Sequence, residues 1–128
     1  MTQKLEVEYG PDDCMDPHGS SLMGHITTDY TKLVELFGEP NCPPGDKTWT
    51  SWDLCFRVWD EDGEDSEDVY ASIYDWKEEG PESSRNGEYR WHIGGFRGKE
   101  HNAHWLVSDL VLNGPVYIDA AEYTFERR

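Results

Sequence analysis

The pattern with the most direct chemical reading is His101-x-x-His104, a spacing that presents two imidazoles to one metal if a helix carries them. A third ligand would have to come from His18, His25, His92 or a cysteine, and spacing places none of them. Two surface histidines at a polar helix start explain the pair as well, so no metal is expected. Cys14, Cys42 and Cys55 form no C-x-x-C pair and have no adjacent His or cationic residue to lower a thiol pKa. Reduced cytosolic thiols are the expectation. His92 alternates away from Trp91 and Ile93 and lies near Arg90, as a satisfied histidine on a half-exposed face does. There is no phosphate-cradling glycine loop and no nucleophile elbow, so no catalytic residue and no cofactor is expected.

Charge carries more information. With 11 Lys and Arg against 27 Asp and Glu the formal net charge is −16. Such a chain repels nucleic-acid phosphates and anionic membrane surfaces, which disfavours direct binding to either and favours partners with positive surfaces. Seven acids lie within nine residues: Asp60, Glu61, Asp62, Glu64, Asp65, Glu67 and Asp68. They resemble a calcium loop in composition only. An EF-hand needs glycine sixth and glutamate twelfth between two helices, whereas Gly63 is fourth after Asp60 and no helix flanks the run. An improvised calcium loop is the alternative. A plain solvated tip would serve to keep a strand edge from pairing. A sharper role is charge mimicry, in which these seven carboxylates occupy sites that a partner's Lys and Arg keep for phosphates, and they are the expected partner-binding residues.

The elements that position this tip are legible from periodicity. Trp52, Leu54, Phe56 and Val58 alternate with Ser51, Asp53, Cys55 and Arg57, a strand with one buried face that leaves Cys55 outward. Val69 to Trp76 forms the second arm of the hairpin, with Tyr70, Ser72, Tyr74 and Trp76 opposite Val69, Ala71, Ile73 and Asp75. Tyr89, Trp91 and Ile93 give a third strand, ended by Gly94-Gly95. Upstream, Leu22 to Thr27 reads as a strand, and Thr28 or Asp29 as the side-chain cap of a helix over Asp29 to Phe37. Tyr30, Leu33, Val34 and Phe37 form its apolar stripe, with Gly38 and Pro40 ending it. A second helix is expected from Glu100 to Leu112, stopped by Asn113-Gly114-Pro115. Residues 116–125 suit a strand or a helix equally. The fold class is α+β: an antiparallel β-meander of three to five strands packed on one face by two α-helices, in the order β-α-β-β-β-α. A chain of 128 residues makes one domain. Residues 1–21 form an N-terminal arm with a short strand at Leu5 to Tyr9, 60–68 the acidic hairpin tip and 77–88 an exposed loop. No basic segment precedes an apolar stretch and no eighteen apolar residues run together, so a cytoplasmic protein is expected.

The runs GHITTDYTKLVELFGEP, VYASIYDWK and YRWHIGG resemble a family of small proteins encoded in tailed-bacteriophage genomes, over about residues 20 to 112. That resemblance implies a phage or prophage origin and residence in the host cytoplasm during infection, and it carries over no catalytic residue. The tip at Asp60 to Asp68 is longer than the short Asp-Gly turn usual in the family. Charge and resemblance together point to a non-enzymatic inhibitor of a host enzyme that acts on nucleic acids, of anti-CRISPR or anti-restriction type. Its partner would be a host protein with a basic nucleic-acid-binding surface. The alternative is an assembly module that forms a homodimer, its acidity serving solubility.

Overall fold

Alternation along the chain becomes a sheet whose buried side chains line up in rows. The computed structural model describes residues 7–11, 20–45, 47–59, 64–113 and 124–125. Its elements run β1 (Val7–Pro11), β2 (Ser21–Asp29), α1 (Tyr30–Phe37), β3 (Ser51–Trp59), β4 (Ser66–Tyr74), α2 (Glu82–Arg85), β5 (Glu88–Gly95), α3 (Ala103–Asn113) and β6 (Thr124–Phe125). The strands make one sheet in the order β2-β5-β4-β3-β1-β6. The expected meander is its centre, with β3, β4 and β5 pairing antiparallel in sequence, and β2 closes back onto β5. The α+β class holds, but among the described residues the sheet has six strands because β1 pairs antiparallel with β3, and β6 parallel with β1. The expected arm strand at Leu5 to Tyr9 is thus Val7–Pro11, a full member of the sheet.

Register explains the core. Trp52 faces Ile73, Leu54 faces Ala71, Phe56 faces Val69, and Ile73 faces Ile93, so apolar rows cross three strands on one face. Leu33 and Phe37 of α1 and Ala103, Leu106, Val107, Leu110 and Val111 of α3 cover those rows. Trp52 and Trp91 are fully buried in T-shaped contact, ring centroids 5.5 Å apart. Each indole N–H finds a carbonyl: Trp52 Nε1 donates to Gly38 O at 2.9 Å and Trp91 Nε1 to Thr28 O at 3.0 Å. These two carbonyls flank α1, so the core tryptophans hold both ends of the helix.

Several boundaries differ from expectation for identifiable reasons. Asp29 makes no side-chain cap; it is still extended at φ −83° and ψ 148°, paired with Glu88, while Thr28 gives its carbonyl to Trp91. Gly38 does end α1, at φ 83°, its N–H donating to Val34 O at 2.8 Å. The second long helix starts at Ala103, not Glu100, because Asn102 Oδ1 accepts the His104 and Trp105 amides. Its expected stop at Gly114-Pro115 and the segment 116–123 lie outside the described residues. β5 does end at Gly94-Gly95, where a side chain would not fit: a Cβ on Gly95 would lie 2.7 Å from Ala103 Cβ, so the glycine lets α3 approach the sheet. Cys55 faces away from the helices as expected but is buried, opposite Tyr70. Cys14 lies outside the described residues, and neither Cys42 nor Cys55 is in a disulfide. No helix among the described residues is long and apolar enough to cross a membrane.

The loop 77–88 is not wholly an exposed connection. It contains α2, tied to the sheet by the fully buried Asp75. Asp75 Oδ1 accepts the amides of Trp49 at 2.8 Å and Thr50 at 3.1 Å, and Oδ2 accepts Ser84 Oγ–H at 3.0 Å. Arg85 Nε then donates to Thr50 Oγ1 at 2.9 Å, and its guanidinium sits 5.0 Å from the Tyr30 ring centroid. Two truncations test this organisation. Phe56→Ala should cost about 3–5 kcal/mol by leaving a cavity under α1 and α3. Asp75→Ala should cost a similar ~3–5 kcal/mol, because two backbone amides and a hydroxyl are left buried without their acceptor, each at roughly 1–3 kcal/mol. Denaturant unfolding measures both, and an Asp75→Ala loss below about 1 kcal/mol would remove this carboxylate from the framework.

Candidate functional site

The hairpin tip is shorter than its acidic run. Pairing continues to Trp59 opposite Ser66, which puts Glu67 and Asp68 inside β4 and Glu64 and Asp65 just beyond the ladder. Asp60, Glu61 and Asp62 lie outside the described residues, and Glu64 and Asp65 are exposed. Glu67 is an anchor: Oε2 accepts the Glu100 amide at 3.0 Å, and Oε1 accepts the His101 amide at 2.9 Å and lies 3.1 Å from His101 Nδ1. Burial alone would raise its pKa, but the two amides and the imidazole outweigh that and hold the carboxyl below its ordinary value. Asp68 takes a forked hydrogen bond from Arg57, at 2.9 Å from Nε and 3.4 Å from the terminal nitrogen. This cross-strand ion pair is exposed and contributes at most about 1 kcal/mol. Of the described tip acids, then, Glu67 and Asp68 fix the base of the hairpin while Glu64 and Asp65 project from it.

The histidine pair diverges. His101 turns to Glu67, whereas His104 Nε2 lies 3.0 Å from the carbonyl of His25 on β2. No group of three or more His, Cys, Asp or Glu that could hold a metal occurs among the described residues. His92 lies opposite Trp91 and Ile93, on the face away from the helices, as alternation predicts. There it does more than fill an exposed position. It pairs in register with His25 on one side and Tyr74 on the other, at ring-centroid distances of 4.5 and 5.4 Å, and Trp76 contacts Tyr74 at 6.0 Å. A row of four rings therefore crosses the sheet face that no described helix covers, the helix-free face among the described residues. The His92 Nδ1 atom is buried with no partner among the described residues.

Beside this row lies a cavity of about 460 Å³ whose lining includes Asp53, Tyr70, Ser72, Tyr74, Trp76 and Gly94. Its geometry is held from behind. Asn41 clamps the Asp53 backbone, its Oδ1 accepting the amide at 2.8 Å and its Nδ2 donating to the carbonyl at 2.9 Å. Tyr70 donates its hydroxyl to Asp53 Oδ1 at 2.8 Å; burial and the carboxylate both push its pKa far up, so the phenol stays protonated. Alternation had assigned Tyr70, Ser72, Tyr74 and Asp53 to this face, but the loop residues that complete it, such as Asn41 and Cys42, carry no periodic signal. No protein-family model, curated protein or solved structure matches this chain significantly.

The imidazoles make the helix-free face sensitive to pH. Burial first, then His25 and Arg90, lower the His92 pKa, and burial, Arg90 and His104 lower that of His25, both from an ordinary 6.5. The unfolded chain therefore takes up protons before the folded one, so the contribution is complete above 6.5 and is lost as pH falls through the lowered folded values. Thermal melts from pH 7.5 to 5 should decline less in His92→Gln than in the parent chain. Parallel curves would mean that His92 is as well solvated folded as unfolded.

Proposed function

We propose that this chain is a phage-encoded acidic binding protein that inhibits a host enzyme acting on nucleic acids by occupying the basic groove kept for phosphates. The net charge of −16 carries this reading. It exceeds what solubility needs and is directed outward: Glu64 and Asp65 are exposed at the hairpin turn, on strands whose base Glu67 and Asp68 brace. At the other end of the sheet Asp29 and Glu88 are exposed and face each other across β2 and β5. Like charges directly opposite in a ladder destabilise it, so carboxylates here work against the fold and in favour of an external positive surface. A second reading, a homodimer, is favoured by Trp105 and Leu112, which stand 47% and 73% exposed on the outer side of α3. It gives the charge no role, and two chains of −16 repel each other.

Replacing Asp60, Glu61, Asp62, Glu64 and Asp65 by Asn or Gln keeps shape and removes five charges from the tip. Association with an enzyme captured from host lysate should slow by about tenfold or more at low salt, and excess DNA should compete with the parent chain. Rising salt should weaken the parent more than the variant as the Debye length shrinks from about 10 Å at 0.1 M. Glu67 and Asp68 stay untouched, so thermal stability should hold. Unaltered association rate and salt dependence would reduce the tip to a solvated turn.

A further inference from the structure

Among the described residues, the lining of the cavity on the helix-free face holds one carboxylate, Asp53, no basic side chain, and three aromatic rings, Tyr70, Tyr74 and Trp76. We propose that this cavity receives the guanidinium of an arginine side chain supplied by the protein partner. This deepens the inhibitory reading, and rests on it for the source of the arginine.

Four observations select this chemistry. Asp53 offers a positioned acceptor: Tyr70 binds Oδ1, no hydrogen bond to Oδ2 occurs among the described residues, and the Asn41 clamp fixes the backbone behind it. Aromatic faces attract cations, and a planar, weakly hydrated guanidinium stacks on them better than an ammonium does. Gly94 contributes no side chain to the lining; a Cβ there would lie 2.6 Å from Ser72 Oγ. The volume of about 460 Å³ falls within the roughly 300–1,000 Å³ of ligand pockets and admits the aliphatic stem as well as the charged head. An anion would meet Asp53 and the −16 field, and a neutral apolar group would strip water from Asp53 without pairing it.

The test uses the intact chain and N-acetyl-L-arginine amide, a blocked residue whose only charge is the guanidinium. N-acetyl-L-citrulline amide, with a urea in its place, is the comparison. Amide and indole N–H resonances followed by NMR should show saturable shifts at Trp76 and Gly94 at millimolar arginine amide. The citrulline compound should bind at least about tenfold more weakly. Asp53→Asn keeps an oxygen for the Tyr70 hydroxyl and should weaken arginine binding by about tenfold, and Trp76→Ala, at an exposed position, should weaken it with unchanged signal dispersion elsewhere. Equal binding of the two compounds overturns the proposal. So do shifts scattered over the surface and unchanged in Asp53→Asn, which would report the general attraction of a cation to an acidic protein. Tighter binding of free L-arginine than of the blocked residue, by tenfold or more, would overturn the partner as source and make the ligand a free amino acid. The tip variant above has an intact cavity, so an unaltered association rate in it with saturable arginine binding counts against charge mimicry alone. A normal tip response without arginine binding counts against the cavity alone.

Discussion

A buried carboxylate has to be fully hydrogen-bonded, and Asp75 meets that condition with partners from two separate stretches of chain. The amides of Trp49 and Thr50 can reach it only if the loop before β3 runs alongside the end of β4, and Ser84 only if α2 folds back. Once those are in place, Arg85 lies next to Thr50 and over Tyr30, and Trp49 Nε1 donates to Glu78 O at 2.9 Å. One acid thereby joins the hairpin, the short helix and the start of α1. It also positions the next residue, Trp76, at the mouth of the cavity, followed by Lys77 with a positive φ of 55° and its amide on Lys47 O at 2.9 Å.

The sheet that results has two unlike faces. The helix side is a dry core in which the polar handles of Trp52 and Trp91 are consumed by the carbonyls flanking α1. On the opposite side Asp53, Ser72, Tyr70, Tyr74 and His92 alternate with the core residues of the same strands, so every strand that builds the core also presents a polar or aromatic group outward. The hairpin obeys the same division of labour along its length: its base is braced by Glu67 and the Arg57–Asp68 pair, and its charge is carried at the turn.

Most of the architecture was legible because β3 and α1 are strongly periodic, and the central meander follows from three such strands in succession. The faces of β3 and β4 were assigned correctly down to Asp75, which alternation put beside Ile73. What alternation does not report is how an acid survives there, since its partners are backbone amides in a loop. The acidic run was misjudged for a related reason: composition marks Glu67 and Asp68 as tip residues, but their cross-strand partners Val58 and Arg57 extend the ladder past them. Likewise His101 and His104 share a helical spacing, but Glu67 and Asn102 hold the first outside the helix. A short strand in the N-terminal arm was legible, but not its pairing with β3, because five residues carry too little pattern to select a partner strand.

The bond from Trp91 to Thr28 spans 63 positions, and among the described residues β2 has its sheet partner in β5, the last of the central strands. During vectorial synthesis β1, β2 and α1 emerge before the hairpin, and although β3 brings Trp52 to Gly38 at the end of α1, β2 meets β5 only when residues 88–95 leave the ribosome. High contact order of this kind slows folding, since loop closure precedes any reward from the contact. The hairpin of β3 and β4, whose consecutive strands pair from Ser51–Tyr74 to Trp59–Ser66, can form while the N-terminal elements wait. Assembly should therefore proceed from the middle of the chain outward, with the Trp91 indole, bonded to the Thr28 carbonyl of β2, as a late latch.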